Sequence, residues 1–124
     1  MRENISVMQF LPRLDEGGVE RGTVEMNREF CKAEMNSTVV SAGGKMVPSI
    51  SRDGGRHILF DVCSKNLFTV PFRVLGLRRI LKRERPDIVH ARSRVPAWLI
   101  YLANKKMGIP FVTTVHGINS INFF

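Results

Sequence analysis

The residues able to do chemistry fall in three short stretches: Gly17-Gly18 within LPRLDEGGVERGT, His90 followed by Ala-Arg-Ser-Arg at 91–94, and His116-Gly117 within TTVHGIN. Paired glycines permit positive φ and close backbone approach. Here they open a helical pattern whose first N–H groups lack partners and carry partial positive charge. A phosphate satisfies that need. A tight strand-to-helix turn with no ligand would use the same residues, and Gly22, one turn on, would let helix and sheet pack closely. Arg92 and Arg94 flank Ser93 just ahead of a helix start near Val95-Pro96, where guanidinium groups oppose the helix dipole; an anion held between them, or plain solvated side chains, accounts for them. A lone His at a strand end is commonly a hydrogen-bonded structural residue. Two on one edge beside a phosphate-type turn favour a functional reading for His90 and His116, most of all for His116, where Gly117 admits a ligand. Neither has a Ser or Cys nucleophile motif beside it.

These stretches need a scaffold that gathers them, and the hydrophobic pattern supplies one. Strands are expected at 5–11, 37–42, 57–60, 87–91 and 111–115, with helices at about 19–34, 46–53, 71–84 and 94–107. The third helix ends at Pro86 and the fourth at Gly108. Strand starts 20 to 32 residues apart match a strand plus its crossover helix, which predicts an α/β fold with a parallel sheet wound by βαβ units. If the strand order is 3-2-1-4-5, the winding reverses between the first and fourth strands, and all three stretches converge on the carboxyl edge there. The 124 residues make one domain. Only HGINSINFF follows the fifth strand, so part of the sheet beside it is expected to lie bare, a candidate surface for self-association.

Composition narrows the partners. A net charge of +8 suggests anionic ligands or surfaces. The helix at 71–84 mixes Phe72, Leu75 and Leu77 with Arg73, Arg78, Arg79, Lys82 and Arg83. Its apolar residues should cover the sheet while its cations face outward, onto solvent or onto an anionic membrane surface. No aromatic interleaving favours nucleic acid. Trp98 and Tyr101 are expected in the core or at its edge. The spacing G-G-x-x-x-G, with Val40-Ser41-Ala42 ending the second strand and no acidic residue for a ribose, disfavours NAD; a P-loop motif is absent. Cys31 and Cys63, among apolar neighbours with no metal-ligand spacing, read as reduced thiols and favour a cytosolic setting. The first residues read as a strand rather than a signal peptide, and no run approaches the ~20 apolar residues of a membrane span.

FLPRLDEGGVERGTVEM, VVSAGGKMV, RPDIVHARSRVPAWLIYLA and GIPFVTTVHGIN, in this order, resemble the amino-terminal domain of GT-B glycosyltransferases of family 4, especially bacterial enzymes that build lipopolysaccharide or related envelope glycans. The resemblance implies a Rossmann-like half of a two-domain fold whose cleft passes a sugar from a nucleotide-sugar to a glycan or lipid acceptor, with retention of anomeric configuration and without a metal. It places Gly17 and Gly18 against the donor diphosphate and His116, at the end of the family's T-x-H-G strand, beside the transferring sugar. Gly44, Lys45, Asn66, His90, Arg92, Ser93 and Arg94 become acceptor-side residues. It also implies a cytoplasmic location, peripheral at the inner membrane face.

The family's second, nucleotide-binding domain with its E-x7-E motif is missing from these residues. The expectation is therefore a truncated product or excised domain with little transferase activity alone. The alternative is a non-catalytic membrane-surface or interaction module that kept the fold and its basic helix. A nucleotide-binding or oxidoreductase domain is a third reading, which would require tight NAD or NADP binding.

Overall fold

The computed structural model describes residues 4–15, 17–62, 67–92, 94–105 and 107–114. Five short strands, β1 (Ser6–Phe10), β2 (Asn36–Ser41), β3 (Arg56–Leu59), β4 (Ile88–Ala91) and β5 (Phe111–Thr113), form one sheet in the order β3-β2-β1-β4-β5. Every pairing is parallel, with Met8 opposite Thr38 and Val89, and His90 opposite Gln9 and Val112. The α/β class and the strand order expected from the sequence are both present. All strands therefore end at one rim.

Four helices connect them: α1 (Gly18–Lys32), α2 (Val47–Arg52), α3 (Val70–Glu84) and α4 (Arg94–Ala103). One sheet face packs on α1 and α2 through Leu11, Leu14, Val39 and Ile50. The other carries the larger core, in which Met8, Phe10, Val40, Val89 and Ala91 meet Leu77, Ile80 and Leu81 of α3 and Ile100 of α4. A Leu or Phe so buried contributes about 1.5–3 kcal/mol, so the α3–α4 layer dominates the stability. On the α1 side of β4 and β5, Ile88 and Val112 are exposed, which agrees with the bare sheet expected there. No helix among the described residues is long and apolar enough to cross a membrane.

Three expectations are corrected. Along α3, Leu77 is buried and Arg79, Lys82 and Arg83 are exposed as expected, but Arg73 is buried beside Leu77, Ile80 and Leu81 while Phe72 and Leu75 point to solvent, against the expected division. Helical spacing decides this: 73, 77 and 80 share a stripe, whereas 72, 75 and 79 share the opposite one. Trp98 and Tyr101 are exposed and pack edge-to-face on each other, with ring centroids 6.2 Å apart. Finally, α4 stops at Ala103, because the Asn104 side chain braces the turn, donating to the Ile109 carbonyl (2.8 Å) and accepting the Ile109 N–H (3.1 Å). Cys31 is half-buried, and burial pushes its thiol pKa up; Cys63 lies outside the described residues.

Two buried polar clusters hold the α1–α2 layer. Asn27 of α1 accepts the Ser37 hydroxyl hydrogen bond (2.7 Å) and donates to the Ile50 carbonyl (3.2 Å), linking α1, β2 and α2. A Cβ on Gly55 would collide with the Asn27 amide oxygen. Gly55→Ala should therefore cost about 2–4 kcal/mol in urea denaturation, by overpacking and by breaking the Ser37 bond. In a double-mutant cycle with Asn27→Ala, most of the Gly55→Ala cost should vanish; strict additivity would show that the two residues do not meet.

The second cluster joins β2 to β3: Ser41 Oγ lies 2.7 Å from His57 Nε2 and accepts the Gly43 N–H at 3.1 Å. Burial lowers the His57 pKa below its usual 6.5. The unfolded chain then binds the proton more tightly, so this contribution is present at neutral pH and is lost as pH falls below the usual value. The urea midpoint should drop from about pH 7 to about pH 5, and His57→Gln should flatten that slope.

Candidate functional site

Because every strand is parallel, the segments following β1, β2, β4 and β5 all emerge at the carboxyl rim. After β1 the chain is stitched to the segment after β2: Leu14 N–H donates to Gly43 O (2.8 Å), Ala42 N–H to Pro12 O (2.9 Å) and Met46 N–H to Leu14 O (2.7 Å). Gly44, at φ 146°, lies against the backbone of Leu14 and Asp15, where a Cβ would collide with the main chain. Gly44 is therefore required by a backbone crossing, whatever else it touches. The adjoining Lys45 is exposed, and its backbone N–H donates to the Asp15 carboxylate. Arg13 Nε also bonds Asp15, at 2.7 Å, and the two hold its carboxyl below the usual carboxylate range.

This stitching delivers the chain to α1. Gly17 is the residue before the helix, at φ 156°, and as a glycine it offers no side-chain cap to the first helical N–H groups. The Glu20 carboxylate bends back toward Gly17, so a Cβ there would come within 2.8 Å of Glu20 Oε1. A Cβ on Gly18 would meet nothing within 4 Å. The start of α1 thus presents backbone N–H groups with no partner within the helix, at a surface open on the Gly18 side.

Arg92 packs against α1 one turn further on, near Gly22. It is not a solvated arm: only 9% of it is exposed, and its Nε donates to Gln9 Oε1 at 2.8 Å. Gln9 in turn donates through Nε2 to the Thr23 carbonyl of α1 (3.3 Å). Burial lowers the Arg92 pKa, though a guanidinium remains charged at any working pH. Its Nη1 lies 3.6 Å from where a Cβ on Gly22 would stand, an ordinary contact distance, so the packing here does not itself demand glycine. Sequence reasoning missed Gln9, which interrupted an apolar strand and was its one visible signal.

His90 shares the α1 side of the sheet with Gln9, its register partner, and its Nε2 lies 2.7 Å from Thr114 Oγ1. Thr114 N–H donates to Ala91 O (3.0 Å), which keeps the chain leaving β5 beside β4. The backbone of Arg94 begins α4 at the same rim. Gly17, Gly18, Gly44, Lys45, His90, Arg92 and the Arg94 backbone are thus brought to one rim. Asn66, Ser93 and His116 lie outside the described residues. Among the described residues no three His, Cys, Asp or Glu side chains gather where they could hold a metal ion. The ribose position that a dinucleotide fold reserves after β2 is taken up by buried Ser41 and its bond to His57.

The comparisons with known proteins bear on this geometry. A glycosyltransferase from Rickettsia africae ESF-5 superposes with a TM-score of 0.82 at 36% identity, over 98% of this chain and 32% of that one. Acinetobacter baumannii MurG gives a TM-score of 0.63 at 16% identity, over 88% of this chain and 34% of that one, and the calicheamicin glycosyltransferase CalG4 gives 0.64 at 15%, over 98% and 32%. At those lower identities the likeness is one of fold. The chain spans about a third of the length of each. Among curated proteins none matches. The model of Glycosyltransferase Family 4 matches residues 16–123, nearly the whole sequence, and the chain belongs to that family.

Proposed function

We propose that this chain is the acceptor-side half of a retaining sugar-transfer enzyme, which moves a sugar from a nucleotide-sugar to an envelope glycan or lipid acceptor. The observation that supports this most directly is the open start of α1, with the buried Arg92 guanidinium one turn further on and His90 and Lys45 on the same rim.

When the bond between the anomeric carbon and the diphosphate breaks, negative charge grows on the departing phosphate oxygens. Backbone N–H groups of Gly17 and Gly18, already oriented by α1, would stabilise that charge without reorganising. Arg92, fixed by Gln9, adds a positive field. His116 is proposed to sit by the transferring sugar, with Gly44, Lys45, Asn66, His90, Ser93 and Arg94 on the acceptor side. Contacts to the nucleotide base would come from a second, donor-binding half, so the 124 residues alone should turn over little substrate.

The test is transfer from labelled nucleotide-sugars to membrane acceptor extract, by the chain alone and with a separately expressed donor-binding half of a family 4 enzyme. Activity is expected only with both halves; robust turnover by the chain alone would refute its inactivity. Gly18→Ala is accommodated by the fold, since its methyl meets nothing. It should nevertheless lower kcat/KM at least about tenfold by obstructing the phosphate's approach to the N–H groups. Wild-type transfer by Gly18→Ala would move the diphosphate away from α1.

A further inference from the structure

At the rim where the strands begin, opposite the proposed transfer site, lies a cavity of about 340 Å³. The amino ends of β1, β2 and β3 and the end of α3 enclose it, through Met8, Met35, Thr38, Arg56, Glu84 and Pro86. A volume of this size accepts a small organic molecule. Thr38 gives it a chemical character. Alternation along β2 turns Val39 toward α1 and α2, and turns Thr38 and Val40 toward α3, onto the face that Met8 shares. An apolar residue suits such a position. Thr38 is 6% exposed, and its hydroxyl makes no hydrogen bond among the described residues. A hydroxyl at that depth destabilises the fold unless something answers it, and the cavity it lines is where the answer comes from.

Directly across the β2–β3 ladder from Thr38 stands Arg56. Neighbouring strands lie about 4.8 Å apart, so the arginine stem starts beside the Thr38 side chain and reaches across to Glu84 of α3. Arg56 Nη2 bonds Glu84 Oε1, and Arg83 Nε holds the other oxygen at 3.0 Å. Two guanidiniums on one carboxylate leave one positive charge over. Among the described residues lining the cavity, Arg56 and Glu84 alone are charged; Asp87, at the same rim, is engaged by the Ser6 N–H at 2.7 Å. A hydroxyl and a guanidinium side by side are two donors for one carboxylate. We infer that the amino-rim cavity is a binding site for a small amphipathic carboxylate, whose oxygens take the Thr38 hydroxyl and the Arg56 guanidinium while its apolar body lies along Met8, Met35 and Pro86. Charge complementarity selects the acid, and the two thioethers supply a polarisable wall that adapts to an aliphatic or aromatic body. The site stands about 16 Å from the carboxyl rim, the length of the five-residue β1, and does not rest on the transfer reading. An occupant that ties three strands to α3 stabilises the fold by mass action.

The methionines make the test direct. With their methyl carbons labelled, 3-phenylpropionate is titrated into the purified chain and followed by methyl NMR, and 3-phenylpropanol, the same body without the charge, is the control. Met8 and Met35 should shift together and saturate with a dissociation constant of about 1 mM or lower, while Met46, at the carboxyl rim, stays still. At ten times that constant the unfolding equilibrium should fall about elevenfold. Arg56→Gln should weaken the probe at least about tenfold, and phenylpropanol should bind weaker than the acid by a similar factor. Arg56 is exposed, so circular dichroism of Arg56→Gln should match wild type; Arg52→Gln, an exposed cation on α2, should bind as wild type. Thr38→Val keeps the shape and removes the hydroxyl. It should weaken the probe about threefold or more and leave the urea midpoint equal or higher, since no protein partner is lost. Absence of a saturable shift at Met8 and Met35 would overturn the inference, as would phenylpropanol binding as tightly as the acid. A shift confined to Met46 would move the carboxylate to the other rim. A urea midpoint lowered by Thr38→Val would show the hydroxyl already answered within the fold, and would equally sink it.

Discussion

Arg92 carries a positive charge into a place almost closed to water, and the group that receives it is the neutral amide of Gln9. Removing a guanidinium from water costs several kcal/mol, and a hydrogen bond to a charged group returns about 1.5–3. Because the amide is neutral it does not cancel the charge, which leaves a positive potential beside Gln9. The charge also fixes the Gln9 amide: its oxygen must face Arg92, so its nitrogen faces the Thr23 carbonyl, and α1 is held over the sheet in one position. One buried cation thereby fixes the Gln9 amide and, through it, the seat of α1 on the sheet. Gly22 stands four residues from Gly18, about 6 Å along the helix. On the proposed transfer reading, the helix end and the arginine would act on the same ligand.

The sheet was legible because parallel strands buried on both faces leave a strong local signature. Runs such as ISVMQFL and STVVSA alternate with amphipathic segments at crossover spacing, and only a wound parallel sheet accommodates that. The rim followed from topology, since each segment leaving a parallel strand must emerge on one side. What escaped was the depth of individual polar side chains. Arginine in a sequence reads as solvated, yet Arg73 and Arg92 are both buried, because a long stem can pack while its head finds an amide or a hydroxyl. The inverse error befell Phe72 and Trp98, whose type suggested the core. Small helix-facing residues fill the available volume instead: Gly76 in α3, and Ala97 and Ala103 in α4, leave no cavity for a large ring.

The polarity of α1 shows how the two halves of the sheet differ. Its inward face carries Thr23 and Asn27, both fully buried, where a helix of this kind ordinarily shows leucines. Such a face is viable only with every donor matched, and it is matched: the Thr23 hydroxyl donates to Val19 O, and the Asn27 amide joins Ser37 and Ile50. Matching of this kind fixes geometry more sharply than apolar contact, because a shift of an ångström breaks bonds that water cannot replace. The α3–α4 layer, held by interchangeable apolar contacts, supplies the bulk of the stability. The α1–α2 layer supplies position, and the rim residues that need position hang from it.

The charges around α1 favour a multiply charged ligand over a single carboxylate. Asp15 stands near the helix start but is already committed to Arg13 and the Lys45 N–H, so little of its repulsion is unscreened. Glu20 is different: its carboxylate reaches back toward Gly17, the end where the helix dipole favours an anion by about 0.3–1 kcal/mol. A carboxylate on a flexible first-turn side chain is an acceptable partner for an empty helix end and an easily displaced one. On the proposed transfer reading, a diphosphate would carry more charge than Glu20 and present oxygens to several N–H groups at once. Displaced outward, Glu20 meets water and loses little.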